Sequence, residues 1–398
     1  MSSLLGIAIR LAQRMGIQSE TTNCTHGILE AEMRRRLWWS LILFDARISE
    51  MVDYKTATLL PTWDCKTPLN VNDSELRLEM KVPPASQNRP TEALFPVVRS
   101  EMGEFIRHAN FHLDFTNPAL KPSDTTKQQD SSLEKSQISE LEQLIQEKYL
   151  RFCDEENPLH FATIWMVQGY LARYRLIEFY SQTSKPAALP TEAQRDAALG
   201  YALTMIECDT KLMSSHLTGG YLWVADYNFP ALGYIQIVQD LRRRPTSKQG
   251  EQAWKVMNEN FEARFAAPQD DDSLFIQLFS KMLLEAWAAR EVALTQTGES
   301  LPPSPLIVSK IKQTLASRRR IPSNSTVIVH NDTHNTHEGT EGPAMSMPMD
   351  DHGLSSGFYD YTNPLPGHSF DMPTLTPLDN NLNHWNSFGW GLGRPLGW

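Results

Sequence analysis

The feature that most restricts the fold of this chain is the spacing of its apolar residues. Over the first 320 residues they recur every three or four positions, the interval that lines one side of an α-helix, and no convincing run alternates apolar with polar as a half-buried strand would. Between Glu30 and Val52, Met33, Leu37, Leu41, Phe44, Ile48 and Met51 form one continuous stripe. Leu4, Ala8, Leu11, Ala12 and Met15 describe a shorter core-facing helix, and Ile138, Leu141, Ile145, Tyr149 and Phe152 a third. Glu30 with Arg34, and Glu32 with Arg36, stand four apart in the order that supports a helix. Trp38, Trp39, Ile42 and Leu43 widen the Met33–Met51 stripe until most sides of that helix must be buried. Further helices are expected over 91–113, 158–181, 191–215, 223–243, 247–265, 271–297 and 305–319. The predicted class is all-α.

Prolines and polar residues divide these helices. Residues 56–84 read as a loop with side chains to dock, among them Trp63, Leu69, Val71 and Leu76, and 117–131 as a linker or long loop. Beyond residue 320 the composition changes. Residues 321–398 hold eight acids and one base, Arg394, and so carry seven of the ten net negative charges of the chain. The expected organisation is a first helical region over 1–116, the linker over 117–131, a second helical region over 132–320 and a disordered acidic tail over 321–398.

These features exclude several classes. The charge balance does not suit bulk binding to nucleic acid or to an anionic membrane, which needs concentrated Lys and Arg. There is no apolar run long enough for a membrane-spanning helix. Residues 1–18 contain Arg10 and Arg14 with no acid, as in a mitochondrial transit peptide, but the core-facing helix explains the same residues. Cys24, Cys65, Cys153 and Cys208 lie tens of residues apart, which supports neither a structural zinc site nor a secreted disulfide framework and fits a reducing compartment.

Candidate chemistry is sparse. Glu104, His108 and His112 share a helical face, but the zincin arrangement needs a glutamate directly after the first histidine, and Ala109 stands there. Asp270, Asp271 and Asp272 resemble magnesium–diphosphate aspartate runs, the basis of an enzymatic alternative. Following Pro268 and preceding an apolar helix, they read better as caps that oppose the helix dipole. No catalytic or metal-binding residue is assigned. Of the three basic runs, 34–36, 242–244 and 318–320, the first two read as solvated faces. The third, as Lys310, Lys312, Arg318, Arg319 and Arg320, is the candidate import signal.

The segments AIRLAQRMGI (8–17), EAEMRRRLWWSLILFDARISEM (30–51) and LLPTWDCKTPLNVNDSEL (59–76) together resemble the middle homology region of fungus-specific transcription factors. Asp45 and Arg47 are separated by Ala46 where the family has an Asp-Arg pair, and Ser49-Glu50 matches. The resemblance covers about the first 80 residues closely. It implies an all-α regulatory domain of a nuclear transcription regulator, often one that governs a metabolic gene cluster. Regulators of this kind usually carry an N-terminal binuclear zinc cluster with six cysteines that binds DNA. The chain starts inside the homology region, so the domain is expected to be truncated at its N-terminus, without that cluster. Zinc is then expected only with a missing N-terminal module, and DNA contact only indirectly or through that module.

The tail fits such a regulator. Asp350, Asp351, Asp360, Asp371 and Asp379 are interleaved with Phe358, Tyr359, Tyr361, Phe370, Trp385, Phe388, Trp390 and Trp398, an acidic and aromatic pattern expected of a segment that activates transcription by binding coactivators. The expected partners are coactivators or other regulators, with a second copy of the chain allowed as a homodimer, and no membrane. The alternatives are a helical interaction scaffold, or a truncated inhibitor that competes for partners.

Overall fold

The computed structural model describes residues 2–52, 63–109, 131–183, 190–265 and 274–320. Every regular element among the described residues is helical, as the apolar spacing requires. Twelve α-helices follow in order: α1 Ser2–Arg14, α2 Glu20–Asn23, α3 Ile28–Val52, α4 Leu94–His108, α5 Ser131–Lys148, α6 Pro158–Thr183, α7 Glu192–Ser214, α8 Leu222–Tyr227, α9 Ala231–Arg243, α10 Gly250–Phe265, α11 Leu274–Thr297 and α12 Leu306–Arg320.

α7 is the hub. It packs along α6 and also touches α8, α9 and α10, while α11 lies on α9 and α4 on α6. Its own sequence explains this position: Ala198, Leu199, Ala202, Leu203, Met205 and Ile206 bury apolar area on several sides, so neighbours are needed all round. The N-terminus of α7 is closed by a capping box, in which Thr191 accepts from the Gln194 N–H and the Gln194 side chain accepts from the Thr191 N–H. The close approach of α9 to α7 uses Gly233, where a Cβ would lie 3.2 Å from the Ala202 carbonyl oxygen and from Ile206. Around this hub one core runs from Leu94 and Val98 of α4 through Ile145 and Tyr149 to Ile307 and Ile311 of α12.

A second, smaller layer consists of α1–α3 and the segment after residue 62. Trp38 and Trp39 of α3 are fully buried and meet Trp63 edge-on at centroid distances of 6.0 and 5.0 Å, with Ala12, Ile17 and Cys65 completing the cluster. The Trp39 indole N–H donates to the Lys66 carbonyl at 2.9 Å, so its polar edge is satisfied where it is buried. The Arg107 guanidinium of α4 covers Trp63 at 3.7 Å. The loop expected to dock its side chains does so from residue 63 onward: Trp63, Val71 and Leu76 are buried.

Several expectations need correction. In α1 the buried face is Leu5, Ile9 and Ala12, whereas Leu4, Leu11 and Met15 are exposed. In α3 Met33 and Leu37 are about half exposed, and Trp38, Trp39 and Ala31 go inward in their place. The reason is the same in both helices: apolar residues occupy two faces, and the partner that arrives decides which is covered. α4 runs over 94–108 rather than 91–113. The helix expected over 223–243 is two helices, because Pro230 supplies no N–H and Asn228–Pro230 turn the chain between α8 and α9. The expectations for Asp270–Asp272 and for the acidic tail, Phe358, Tyr359, Tyr361, Phe370, Trp385, Phe388, Trp390 and Trp398 included, fall outside the described residues.

Candidate functional site

Three groups of polar residues deserve a functional reading, and the first is the acidic and arginine-rich turn of α3. Its arginines are not a solvated basic face, as expected from their sequence, but a half-buried clamp. Glu32 is completely buried and accepts from Arg36 Nε at 3.2 Å and from the Leu69 N–H at 3.0 Å, with Arg35 at 3.6 Å. Arg35 in turn reaches Glu20 of α2 at 2.5 Å, and Arg36 reaches Asp73 at 2.7 Å. Arg34 pairs with Glu30 and donates to the Met15 carbonyl. Burial pushes the Glu32 carboxyl above its ordinary value despite these partners. At Glu20 burial also opposes charge, but Arg35 and the Lys66 N–H outweigh it and hold the carboxyl below its ordinary value. Positive charge in this motif is spent on fastening α2, α3 and the following loop, which leaves little for an external anion.

The second group joins the two layers. Arg47, seven residues beyond Ser40 on α3, donates through Nε to the Tyr227 carbonyl at 3.0 Å and through Nη2 to the Phe229 carbonyl at 3.1 Å. Those carbonyls close the end of α8, so the planar fork of one arginine caps a turn 180 residues away in sequence. Tyr227 returns the contact, stacking on Phe44 at 4.7 Å and donating its hydroxyl to the Phe44 carbonyl at 3.1 Å. It also packs on the small cluster of Leu5, Ile9 and Ile48. The Asp45/Arg47 pair noted in the sequence therefore sits at the joint between the layers, with Asp45 itself buried.

The third group surrounds a cavity of about 100 Å³. α6 supplies Trp165, Met166, Gly169 and Tyr170, α7 supplies Met205, Cys208, Asp209 and Leu212, and the turn between α8 and α9 supplies Asn228, Phe229 and Pro230. Arg47 of α3, Phe95 of α4 and Arg173 of α6 also line it. The cavity is thus framed by the same turn that Arg47 holds. Behind one wall lies a buried polar network: Asp209 accepts from Arg264 Nε at 2.6 Å and from Asn260 Nδ2 at 2.7 Å, and the Tyr234 hydroxyl donates to Asn260 Oδ1 at 2.8 Å. Burial disfavours charge on Arg264, yet Asp209 and Asp226 raise its pKa further and keep it cationic. Burial pushes the Cys208 thiol up to about 12, which makes it an inert wall group rather than a nucleophile.

The other sequence candidates are dispersed. Glu104 pairs with Arg107 at 2.7 Å, both half-buried, and lies 3.6 Å from the exposed His108, and His112 is outside the described residues. No group of three metal-ligating side chains occurs among the described residues. Lys310 and Lys312 are exposed on α12, which also contains Arg318–Arg320. Arg244 is engaged by Asp196 and Asp240, and Arg242 by Glu285. The cavity was not legible in sequence, since it draws on six helices; the only local hint is the Tyr227–Pro230 break, which has no counterpart in the helical spacing.

Among the described residues, an all-helical body holds a clamped acidic and arginine-rich turn and an interior cavity. Residues 1–149 match the fungal specific transcription factor domain. Those residues carry that domain. Among similar proteins, the transcriptional regulator AacuB of Aspergillus aculeatus is 52% identical over 306 residues, covering 77% of this chain and 41% of the relative. The transcriptional regulator nsrM of Aspergillus novofumigatus is 42% identical over 96% of this chain and 54% of its own length. The aurofusarin cluster transcription factor aurR2 of Gibberella zeae is 27% identical over 75% of this chain and 44% of the relative. The chain spans about half the length of the curated relatives it matches. No solved structure matches it.

Proposed function

We propose that this chain is the regulatory part of a fungal transcription regulator that controls a metabolic gene cluster, possessing no enzymatic activity of its own. The observation that carries the reading is the 52% identity with a transcriptional regulator across 77% of the chain. Two more distant relatives bear the names of biosynthetic-cluster transcription factors, which supports a cluster as the target. In this reading DNA is reached through a separate module or a partner regulator. Zinc belongs to such a module, and the residues of this chain need no cofactor. Lys310, Lys312, Arg318, Arg319 and Arg320 direct the protein to the nucleus, and the aromatic residues of 349–398 engage coactivators.

The test is a fusion of the 398-residue chain to a heterologous DNA-binding domain in a fungal reporter strain. Reporter output above or below that of the DNA-binding domain alone is expected. Output equal to it, with the fusion expressed and nuclear, would leave a helical interaction protein as the better reading. Fusing residues 349–398 alone isolates the tail: activation is expected, and none would remove the tail's assigned role. Replacing the five basic residues by glutamine in a fluorescently tagged chain is expected to abolish nuclear accumulation.

A further inference from the structure

We propose that the outer face of α1 is a docking surface for an acidic amphipathic helix of a partner protein. The inference goes beyond the regulatory reading and rests on the exposed side chains of α1 and of its neighbour α3.

The face is apolar where contact with water favours polar groups. Leu4, Ile7, Leu11 and Met15 follow one another at three, four and four residues and so line one side of α1, opposite the buried Leu5, Ile9 and Ala12. They are 72, 56, 53 and 58% exposed. At about 1.5 Å per residue the stripe runs for about 16 Å, or about three turns of helix. α3 adds to it where α1 ends. The Met15 carbonyl accepts from Arg34 of α3, and Met33 and Leu37, on either side of that arginine in the sequence, are about half exposed. Apolar residues scattered singly over a surface need no partner, but six on two packed helices are the mark of an interaction site. The buried side is already used: Leu5, Ile9 and Ala12 fasten α1 to α3, so the outer side is the one left for a partner.

Charge then selects the occupant. Arg10 and Arg14 lie one turn apart along the edge of the stripe, both exposed, and residues 1–18 contain no acid. Arg34, Arg35 and Arg36 of α3 hold Glu30, Glu20 and Glu32, whereas Arg10 and Arg14 have no acidic partner among the described residues. A second copy of the chain would set the same arginines against each other across a two-fold contact, and like charges so placed oppose association. An anionic membrane would suit the two arginines but not the chain, whose net charge is −10. A helix with apolar residues at the same spacing and Asp or Glu along its edge satisfies both features. Its apolar side covers the stripe, and its carboxylates meet Arg10 and Arg14.

Fluorescence anisotropy with the 398-residue chain and three labelled peptides of about four helical turns tests the surface. One peptide carries leucine at helical spacing with glutamate on the flanks. The second has lysine for each glutamate, and the third scrambles the first so that its leucines no longer share a side. The acidic peptide is expected to bind about tenfold more tightly than the lysine peptide, the worth of a few exposed ion pairs, and more tightly than the scrambled one. Because the whole chain is negative, non-specific attraction would favour the lysine peptide, so the expected order reports the local surface. Ile7→Glu with Leu11→Glu is expected to abolish binding of the acidic peptide, and Arg10→Glu with Arg14→Glu to reverse the preference. All four positions are exposed, so circular dichroism of both variants is expected to match that of the unaltered chain. If the chain with Ile7→Glu and Leu11→Glu fails to fold, the charge reversal carries the test. Equal binding of the acidic and lysine peptides, or a preference that charge reversal leaves unchanged, would overturn the proposal. So would a dimer in sedimentation that Ile7→Glu with Leu11→Glu dissolves, which makes a second copy the occupant. Phosphatidylserine vesicles that bind the unaltered chain but not that variant would overturn it in favour of a lipid surface. None of these readouts involves transcription, so they fail or succeed independently of the regulator assignment.

Discussion

Asp209 and Arg264 show how a charged pair is made tolerable inside this fold. Both are almost fully buried, and besides each other they have Asn260 and the Ala225 carbonyl as partners. Removing one member strands the other in a medium that solvates it poorly, so Arg264→Ala is expected to lower stability by about 3–5 kcal/mol. The pair Asp209→Leu with Arg264→Met, which removes both charges and keeps the volume, is expected to cost much less. Urea denaturation at constant m value measures the difference. Glu20 supplies the acid-limb counterpart. Its carboxyl titrates below the ordinary 4.5 in the folded chain, so the folded state binds its proton less readily than the unfolded state. The stabilisation it contributes is therefore complete above about pH 4.5 and is lost as the pH falls through the lower folded value. Glu20→Gln is expected to reduce stability at pH 7 and to flatten its decline between neutral pH and the acid limb, as seen in thermal melts across that range. Glu32 acts in the opposite sense because burial raises its carboxyl, so above the unfolded value its ionisation detracts from stability.

At the scale of elements, helix existence was legible and helix orientation only partly so. α5 buries Ile138, Leu141 and Ile145, with Tyr149 just beyond its end, as their spacing indicates, whereas Phe152 of the expected stripe, past the helix, is exposed, as is Leu144 on another face. α3 has apolar residues on two faces, and period alone cannot choose between Met33 with Leu37 and Trp38 with Trp39. What chooses is Trp63, which arrives from a loop 24 residues after Trp39. Gly103 records the other side of that choice: a Cβ there would lie 3.0 Å from Leu43 and 3.1 Å from Trp39, so glycine is what lets α4 approach α3. Gly103→Val is expected to cost about 1–3 kcal/mol by overpacking. The start of α7 was readable from Pro190-Thr191, and Thr191→Ala, which removes the cap, is expected to cost about 1 kcal/mol. Chemical denaturation of each variant checks both values. The cavity and the Arg47 contacts lay beyond sequence reasoning for a plain reason: they join residues as far apart as Arg47 and Leu232, which share no local pattern.

For the whole molecule, the two layers differ in how firmly they are held. The body around α7 has one extensive core, whereas the α1–α3 layer rests on two small clusters, one of three residues and one of six. Local opening free energy follows buried apolar contact, so amides of α1 are expected to exchange with solvent faster than those of α7. Arg47 and Tyr227 are the joint between the layers. Replacing Arg47 by alanine removes two hydrogen bonds from a charged donor, each worth about 1.5–3 kcal/mol, and leaves the Tyr227 and Phe229 carbonyls to find other partners. If the joint holds the N-terminal layer on the body, Arg47→Ala raises exchange in α1 and α3 and leaves the α7 and α10 amides unchanged. If the two layers instead unfold as one unit, exchange rises in all four helices together. Arg47→Lys separates charge from shape: a lysine keeps the charge but cannot span two carbonyls with a planar fork. It is therefore expected to behave like alanine in α1 and α3, and wild-type exchange in the lysine variant would show that the charge alone suffices.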